Sequence, residues 1–209
     1  PSPILHAVAD LKFEYCTPIQ EKSLPITLPG HDIKGQAQTG TGKTAAFLIT
    51  IFSRFFKDPS RADQTPGTPR ALILAPTREL ALQVADAFNS YATHLSGVRT
   101  LAIYGGADFR DQIHQLKRGV QIVVGTPGRV MDHMRQGTLD LSGLRSLVLD
   151  EADEMLNMGF YDDIVDILSY TPKEKSTWLF SATMPQEVST IAKKFMQNPI
   201  EITVGNKNE

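Results

Sequence analysis

The chain has 209 residues, with 21 basic and 23 acidic side chains and a formal net charge of −2. This length suits one large domain with a buried core, and the ordinary hydrophobic content excludes a disordered or fibrous protein. The near-neutral charge also excludes a protein that coats itself with nucleic acid through bulk charge. Any contact with nucleic acid must therefore come from a local basic patch.

The chain ends and the single cysteine bear on the cellular context. Cys16 stands alone, which excludes a disulfide framework and favours a reducing, cytoplasmic compartment. No apolar run has the length of a membrane span, and the N-terminus does not resemble a signal peptide. Because the chain begins at Pro1 without an initiator Met, we expect a fragment of a longer protein.

Short apolar runs recur along the chain and predict β-strands. Four of them are almost continuously hydrophobic, which is typical of parallel strands buried on both faces. These four are Ala71–Leu74, Gln121–Val124, Ser146–Leu149 and Thr177–Phe180. Asp32–Ala37 and Thr100–Tyr104 are weaker candidates, and the alternating run Ile200–Val204 predicts a half-exposed edge strand.

Amphipathic stretches separate these runs, and their period predicts helices. The alternation of strand and helix predicts an α/β domain of three layers, with a mostly parallel sheet between helices. We expect it to span residues 1–204, with residues 205–209 as the start of a polar interdomain linker. In such sheets, ligands bind beyond the carboxyl ends of the strands.

A glycine-rich segment follows the first candidate strand and precedes a candidate helix. Its backbone N–H groups would bind phosphates, its lysine would reach the β- and γ-phosphates, and its last hydroxyl would ligate Mg²⁺. The residues are Ala37, Gln38, Thr39, Gly40, Thr41, Gly42, Lys43 and Thr44. The general pattern has Gly where this chain has Ala37, and an ordinary Gly/Thr-rich turn is the alternative.

Acidic residues follow the buried strand Ser146–Leu149 directly. Asp150 is the candidate for holding Mg²⁺, through water because this ion keeps much of its hydration shell. Glu151 is the candidate for orienting the attacking water or accepting its proton. The alternative is an acidic helix N-terminus that the helix dipole favours.

The run Asp150-Glu151-Ala152-Asp153 carries a family resemblance. It spells the signature of the DEAD-box RNA helicases, and the chain resembles the N-terminal RecA-like domain of their bacterial type. The resemblance covers almost the whole chain, because the other motifs of the family follow in the expected order. Ala37 also fits, since the family commonly has Ala there.

The resemblance implies that Thr17-Pro18-Ile19-Gln20 recognises adenine. The side-chain amide of Gln20 offers a donor and an acceptor that match adenine N6 and N7. Phe13 matches an upstream aromatic residue of the family, although Lys12 replaces the usual Gly. The further upstream aromatic residue of the family is absent here, so we expect weak nucleotide affinity. A helix capped by Thr17 with Pro18 at its first position is the structural alternative.

The resemblance also implies contacts with the RNA backbone. Hydroxyls, arginines and helix N-termini suit phosphate oxygens, and glycines allow a close approach of the main chain, so little sequence preference is expected. The predicted contacts are Pro76, Thr77, Arg78, Gly105, Gly106, Thr126, Pro127, Gly128 and Arg129. Ordinary turns and helix caps are the alternative for each motif alone.

Ser181-Ala182-Thr183 resembles the motif that couples ATP hydrolysis to strand separation. Its hydroxyls are expected to hydrogen-bond the Asp150–Asp153 segment, and a simple helix cap ahead of Pro185 is the alternative. The five histidines show no metal-ligand spacing and are interpreted as non-catalytic.

The resemblance implies an ATP- and Mg²⁺-dependent enzyme that unwinds RNA duplexes or remodels ribonucleoproteins. In the family, a second, C-terminal RecA-like domain completes the active site, so this fragment alone is expected to hydrolyse ATP poorly. A DNA-directed helicase or another P-loop ATPase is one alternative. An ATP-gated RNA clamp or scaffold without productive unwinding is the other.

Overall fold

The computed structural model of the chain describes residues 17–38, 42–58, 65–94 and 97–205. These residues form one parallel sheet with helices packed on both faces. The predicted three-layer α/β architecture is therefore confirmed.

The secondary structure alternates between strand and helix along the chain. In the described part, the strands are β1 (Ile33–Gln36), β2 (Ala71–Leu74), β3 (Thr100–Ile103), β4 (Ile122–Gly125), β5 (Ser146–Leu149), β6 (Ser176–Ser181) and β7 (Ile200–Thr203). The α-helices there are α1 (Pro18–Thr27), α2 (Lys43–Lys57), α3 (Arg78–Tyr91), α4 (Phe109–Lys117), α5 (Pro127–Arg135), α6 (Ala152–Asn157), α7 (Tyr161–Ser169) and α8 (Gln186–Phe195). A short 3₁₀ turn, Ala92–His94, follows α3.

The strand order in the sheet is β3-β4-β2-β5-β6-β1-β7. Every strand pair described is parallel, so each connection crosses over through a helix or a long loop. All the predicted strands are present, with bounds shifted by no more than one residue. The predicted edge strand, β7, lies at one end of the sheet and is largely exposed.

Successive residues of the central strands face opposite sides of the sheet, and each side carries its own core. Ile73 of β2 packs into the core formed with α2 and α3, which contains Phe47, Phe52 and Phe88. Its neighbours Leu72 and Leu74 pack into the second core, with α5, α7 and α8. Burial on both faces explains why these strands are continuously hydrophobic in the sequence.

The carboxyl ends of the strands lie along one edge of the sheet, where β1 and β6 reach two residues beyond β2, β4 and β5. Gln36 of β1 pairs with Ser181 of β6, and Leu74 of β2 pairs with both Gly125 of β4 and Leu149 of β5. The segments that follow these strands therefore meet along one edge of the sheet. The sequence motifs occupy those segments.

The helices of the described part are all too short or too polar to cross a membrane. That part also holds no group of three or more His, Cys, Asp or Glu side chains arranged to bind a metal ion.

Candidate functional site

Lys43 and the two acidic residues after β5 meet at the carboxyl edge of the sheet. Lys43 opens helix α2, and its Nζ lies 3.0 Å from Asp150 Oδ1 and 3.8 Å from Glu151 Oε1. Gly42 caps this helix in the left-handed conformation, with φ of 83°, which glycine adopts without strain. The structure therefore joins the glycine-rich segment to the acidic segment, as the sequence predicts.

Asp150 is fully buried at the end of β5. Burial raises the pKa of its carboxyl above the usual range, and the nearby ammonium of Lys43 opposes that shift. Apart from the Lys43 ammonium, 3.0 Å from Oδ1, no donor in the described part of the chain makes a well-formed hydrogen bond to this carboxylate. A buried carboxylate with so few donors keeps lone pairs that fit a metal cation such as Mg²⁺.

Glu151 has a backbone conformation that the sequence does not reveal. Its φ and ψ are 52° and 53°, in the left-handed region, immediately before helix α6. A residue with a Cβ is strained there, and such strain is concentrated at functional sites. The bend turns the chain sharply after Asp150 and brings the Glu151 carboxylate to the same side as Lys43.

Ser181 and Thr183, which follow β6, both hydrogen-bond Asp153. The backbone N–H of Asp153 donates to Ser181 Oγ at 3.1 Å. Thr183 donates to Asp153 Oδ2 from its backbone N–H at 3.0 Å and from its hydroxyl at 2.9 Å. Desolvation raises the pKa of the Asp153 carboxyl, but these bonds outweigh it and hold the pKa below its usual value. The predicted contact between the two segments is present.

Gln20 is buried and links the first helix to the glycine-rich segment. Its amide oxygen accepts from the backbone N–H of Thr17 at 3.1 Å, and its amide nitrogen donates to the carbonyl of Gly42 at 3.1 Å. Thr17 occupies the N-cap position of α1 but makes no capping hydrogen bond through its hydroxyl, and Pro18 occupies the first turn. The helix of the structural alternative is therefore present, while adenine recognition by Gln20 stays a prediction.

The segments predicted to contact RNA follow β2, β3 and β4, which are neighbours in the sheet. Thr77 caps α3, its hydroxyl accepting from the N–H of Leu80 at 3.2 Å. Arg78 is exposed, and its guanidinium lies 4.9 Å from the centre of the Tyr104 ring. Gly105 and Gly106 are also exposed. These residues form an open surface beside the Lys43 site.

The remaining predicted RNA contacts begin helix α5 and are less accessible. Thr126 and Pro127 are buried, and Gly128 is half-buried. The side chain of Arg129 is only 13% exposed, and its Nη1 donates to the carbonyl of Ala107 and to Gln112 Oε1, both at 3.1 Å. Part of this guanidinium therefore makes its hydrogen bonds within the protein.

Several predicted site residues lie outside the described part of the chain. They are Phe13, Thr39, Gly40 and Thr41. Gln38 is exposed and Thr44 is half-buried near the start of α2, so their predicted contacts with phosphate and metal stay predictions.

No sequence motif includes Gln112, and the spacing of the histidines indicates only that His133 is non-catalytic. The structure buries both side chains behind the predicted RNA surface, where His133 Nε2 lies 2.9 Å from Gln112 Oε1. The contact joins α4 to α5 across a separation of 21 residues. No local pattern in the sequence reports such a pair.

Comparison with known proteins agrees with this geometry. The model of the DEAD/DEAH box helicase family matches residues 17–191. The chain is 49% identical over 209 residues to "ATP-dependent RNA helicase DeaD" of Haemophilus influenzae, covering 100% of this chain and 33% of that protein. It is 48% identical over 203 residues to the protein of the same name from Escherichia coli K12, covering 97% of this chain and 31% of that protein.

A solved structure has the same fold. The crystal structure of a hypothetical ATP-dependent RNA helicase from Sulfolobus tokodaii superposes with a TM-score of 0.86 at 37% identity, covering 97% of this chain and 57% of that one. The chain spans about a third of the length of the curated relatives that it matches.

Proposed function

Because the chain belongs to the DEAD/DEAH box helicase family, we propose that it is the ATP-binding domain of an RNA helicase. The parent enzyme would couple ATP hydrolysis to the unwinding of RNA duplexes or to the remodelling of ribonucleoproteins. The observation that carries the proposal is the 3.0 Å ion pair between Lys43 and the buried Asp150. This contact supports the proposal because it joins the lysine proposed to bind phosphate to the carboxylate proposed to hold the metal.

The residues around this ion pair have distinct roles in the proposal. Gly42 and the N-terminus of α2 bind phosphate oxygens through backbone N–H groups, and Lys43 adds a positive charge. Thr44 and Asp150 would hold Mg²⁺, Asp150 through water. When bound, Mg²⁺ neutralises negative charge on the terminal phosphates. Glu151 orients the attacking water and accepts its proton.

Lys43 also has a role before a nucleotide binds. Its side chain is 7% exposed, and its ammonium balances the fully buried charge of Asp150, which would otherwise be costly to hold in the protein interior. When a nucleotide is bound, Lys43 would pair with the phosphates, and Asp150 would be free to hold the metal ion.

The RNA contacts are proposed for the surface beside this site. Thr77, Arg78, Gly105, Gly106 and the start of α5 follow the adjacent strands β2, β3 and β4. They offer backbone N–H groups, hydroxyls and guanidinium groups, which suit the sugar-phosphate backbone rather than base edges, so binding should depend little on sequence. The hydrogen bonds between Asp153 and Thr183 support Ser181 and Thr183 as the link between hydrolysis and strand separation.

The proposed role of Glu151 in ATP hydrolysis is tested most directly in the full-length parent enzyme. A Glu151→Gln variant of the full-length protein should bind ATP with wild-type affinity and lose RNA-stimulated hydrolysis by about 100-fold or more, since the amide cannot accept a proton. Glu154→Gln is the matched control, because Glu154 is exposed and lies three residues further on. Hydrolysis that survives in the Glu151→Gln variant contradicts the role of Glu151.

The 209-residue chain alone should hydrolyse ATP very slowly, because the second domain that the family uses to stabilise transition-state charge is not part of it. Robust RNA-stimulated turnover by this chain would contradict that expectation. In the full-length protein, stimulation by DNA rather than RNA would favour a DNA helicase. ATP-dependent RNA binding without multiple-turnover strand separation would favour a clamp.

A further inference from the structure

Gln112 is a buried amide on α4 that lies directly behind the proposed RNA surface. Its side chain is almost fully enclosed, at 5% exposure for the residue. Its Nε2 donates to the carbonyl of Tyr104 at 3.2 Å, and its Oε1 accepts from Arg129 Nη1 at 3.1 Å. One amide therefore joins the turn after β3 to the first turn of α5.

These hydrogen bonds lie on both sides of the exposed glycine pair. Gln112 holds the carbonyl of Tyr104, immediately before Gly105, and Arg129 holds the carbonyl of Ala107, immediately after Gly106. Arg129 itself is fixed by Gln112. The backbone on both sides of Gly105 and Gly106 is therefore hydrogen-bonded, directly or through Gln112, to Arg129 at the start of α5.

His133 completes the hydrogen-bond network, and its surroundings determine the protonation state of its ring. Arg129 can only donate, so the Gln112 oxygen must face it, and the same oxygen then accepts from His133 Nε2 at 2.9 Å. His133 Nδ1 lies 2.8 Å from the hydroxyl of Thr138. Desolvation, with the charge of Arg129, lowers the pKa of His133 to about 4. At neutral pH the ring is therefore neutral, with its proton on Nε2.

Phe109 covers this network from one side. Its ring stacks on the His133 ring with the centres 4.2 Å apart and the planes 13° apart, and the Arg129 guanidinium lies 5.4 Å from the same ring. The stacked rings exclude water from the side-chain amide of Gln112. Each hydrogen bond of this amide is therefore strengthened. The network thus has one stable arrangement.

We propose that Gln112 is a positioning residue for RNA binding. It sets the distance between the glycine turn and the start of α5, and so lets both segments engage the same sugar-phosphate backbone. The proposal rests on the proposed function, in which these two segments contact RNA. Gln112 itself is enclosed and acts through Tyr104, Arg129 and His133.

A Gln112→Met variant tests the proposal, because methionine has a similar shape and forms none of these hydrogen bonds. Gln115→Met is the matched control, since it makes the same change one turn further along α4. The affinity of the 209-residue chain for a short fluorescein-labelled oligouridylate is measured by anisotropy, and that for an ATP analogue by calorimetry. We expect Gln112→Met to weaken RNA binding by about 5- to 10-fold, the loss of one or two net hydrogen bonds, and to leave nucleotide affinity unchanged.

A double variant separates positioning from simple loss of stability. If Gln112 acts through Arg129, adding Gln112→Met to the Arg129→Met variant should have only a small further effect. RNA binding should weaken by much less than when Gln112→Met is made in the wild-type chain. If Gln112→Met fails to fold, the Phe109→Leu variant tests the proposal instead, because it removes the stacked ring without leaving a buried donor unpaired. That variant should weaken RNA binding by about 2- to 4-fold with nucleotide affinity unchanged.

The outcomes are distinguishable. RNA affinity within about 1.5-fold of wild type in folded Gln112→Met, or a parallel fall in nucleotide affinity, overturns the positioning role and leaves the proposed function intact. Failure of the wild-type chain to bind RNA overturns both. Selective loss of RNA affinity in Gln112→Met but not in Gln115→Met supports the proposal.

Discussion

At the scale of single residues, Glu151 combines a predicted chemical role with a strained backbone. The left-handed conformation at φ of 52° costs a residue with a Cβ about 1 kcal/mol relative to glycine. The protein keeps this strain where the chain turns from Asp150 into α6. The strain therefore accompanies the placement of the carboxylate beside Lys43.

The strain predicts an unusual order of stabilities. Glu151→Gly should be more stable than Glu151→Ala by about 1 kcal/mol, because glycine adopts the left-handed region freely. Chemical denaturation of both variants measures the difference. At Glu154, inside helix α6, the same pair of substitutions should have the opposite order, since alanine is the better helix former. Equal stability of the two Glu151 variants would contradict the strained conformation.

His133 provides a second prediction, on the dependence of stability on pH. Its pKa is about 4 in the folded chain and about 6.5 in the unfolded chain. Because the folded pKa is the lower one, the unfolded chain gains its proton first as the pH falls. Stability is therefore fully present above about pH 6.5 and is lost progressively towards pH 4, by about 2 kcal/mol at pH 5.

A His133→Gln variant should remove this part of the acid sensitivity. The free energy of unfolding, measured by urea denaturation at pH 7.5 and at pH 5, should differ less for the variant than for the wild type, by about 2 kcal/mol. His114→Gln is the control, because His114 is exposed on α4 and should leave the difference unchanged. An unaltered pH dependence in His133→Gln would mean that the pKa of His133 is the same in the folded and unfolded chain.

Sequence motifs predicted which segments meet at the candidate site but not how each residue is held there. Asp150 directly follows β5, while Lys43 and Asp153 lie in the helices that come after β1 and β5. These positions could be predicted because strand ends are readable from hydrophobic runs. The left-handed backbone of Glu151 and the amide of Gln112 were not predictable. Both depend on contacts between segments distant in the sequence, and no periodic pattern records such contacts.

At the scale of secondary structure elements, the two glycines around Thr126 have opposite requirements. A Cβ on Gly125, at the end of β4, would lie 2.5 Å from Val130 Cγ2 and 2.9 Å from Ile103 Cγ1. A Cβ on Gly128, in the first turn of α5, would lie 3.7 Å from Phe160, an ordinary contact. Packing therefore requires Gly125, whereas nothing in the packing requires Gly128.

Alanine substitutions should separate the packing role from the functional one. Gly125→Ala should destabilise the chain by about 1–3 kcal/mol through the clash. Gly128→Ala should stabilise it by up to about 1 kcal/mol, because alanine favours the helix, while weakening RNA binding by hindering close approach of the backbone. Thermal unfolding and RNA anisotropy measure the two effects. Full RNA affinity in Gly128→Ala would remove Gly128 from the proposed RNA surface.

The strands were the most predictable elements, and their order was not. Continuous hydrophobic runs mark β2, β4, β5 and β6 because both faces of the sheet are covered. The insertion of β5 and β6 between β2 and β1 depends on which strands pair across long crossovers. Parallel pairing of this kind leaves no turn signal in the sequence.

At the scale of the whole molecule, the strand order sets the two proposed sites side by side. Strands β1, β5 and β6 lead into the nucleotide site, and β3, β4 and β2 lead into the RNA surface. The boundary is the pair β2 and β5, where the backbone N–H of Asp150 donates to the carbonyl of Leu74 at 2.9 Å. A shift at the end of β2 or β5 would therefore change the geometry of the neighbouring site as well.

The net charge of −2 predicts how RNA binding responds to salt. With attraction limited to a few local cations such as Arg78 and Arg129, a plot of log affinity against log salt concentration should have a shallow slope of about −1 to −3, at about 0.7 per phosphate contact. Arg78→Met should reduce its magnitude by about 0.7. Arg118→Met, at the far end of α4, should not change it. A slope several times steeper would require a broad basic surface, which this balance of charges does not provide.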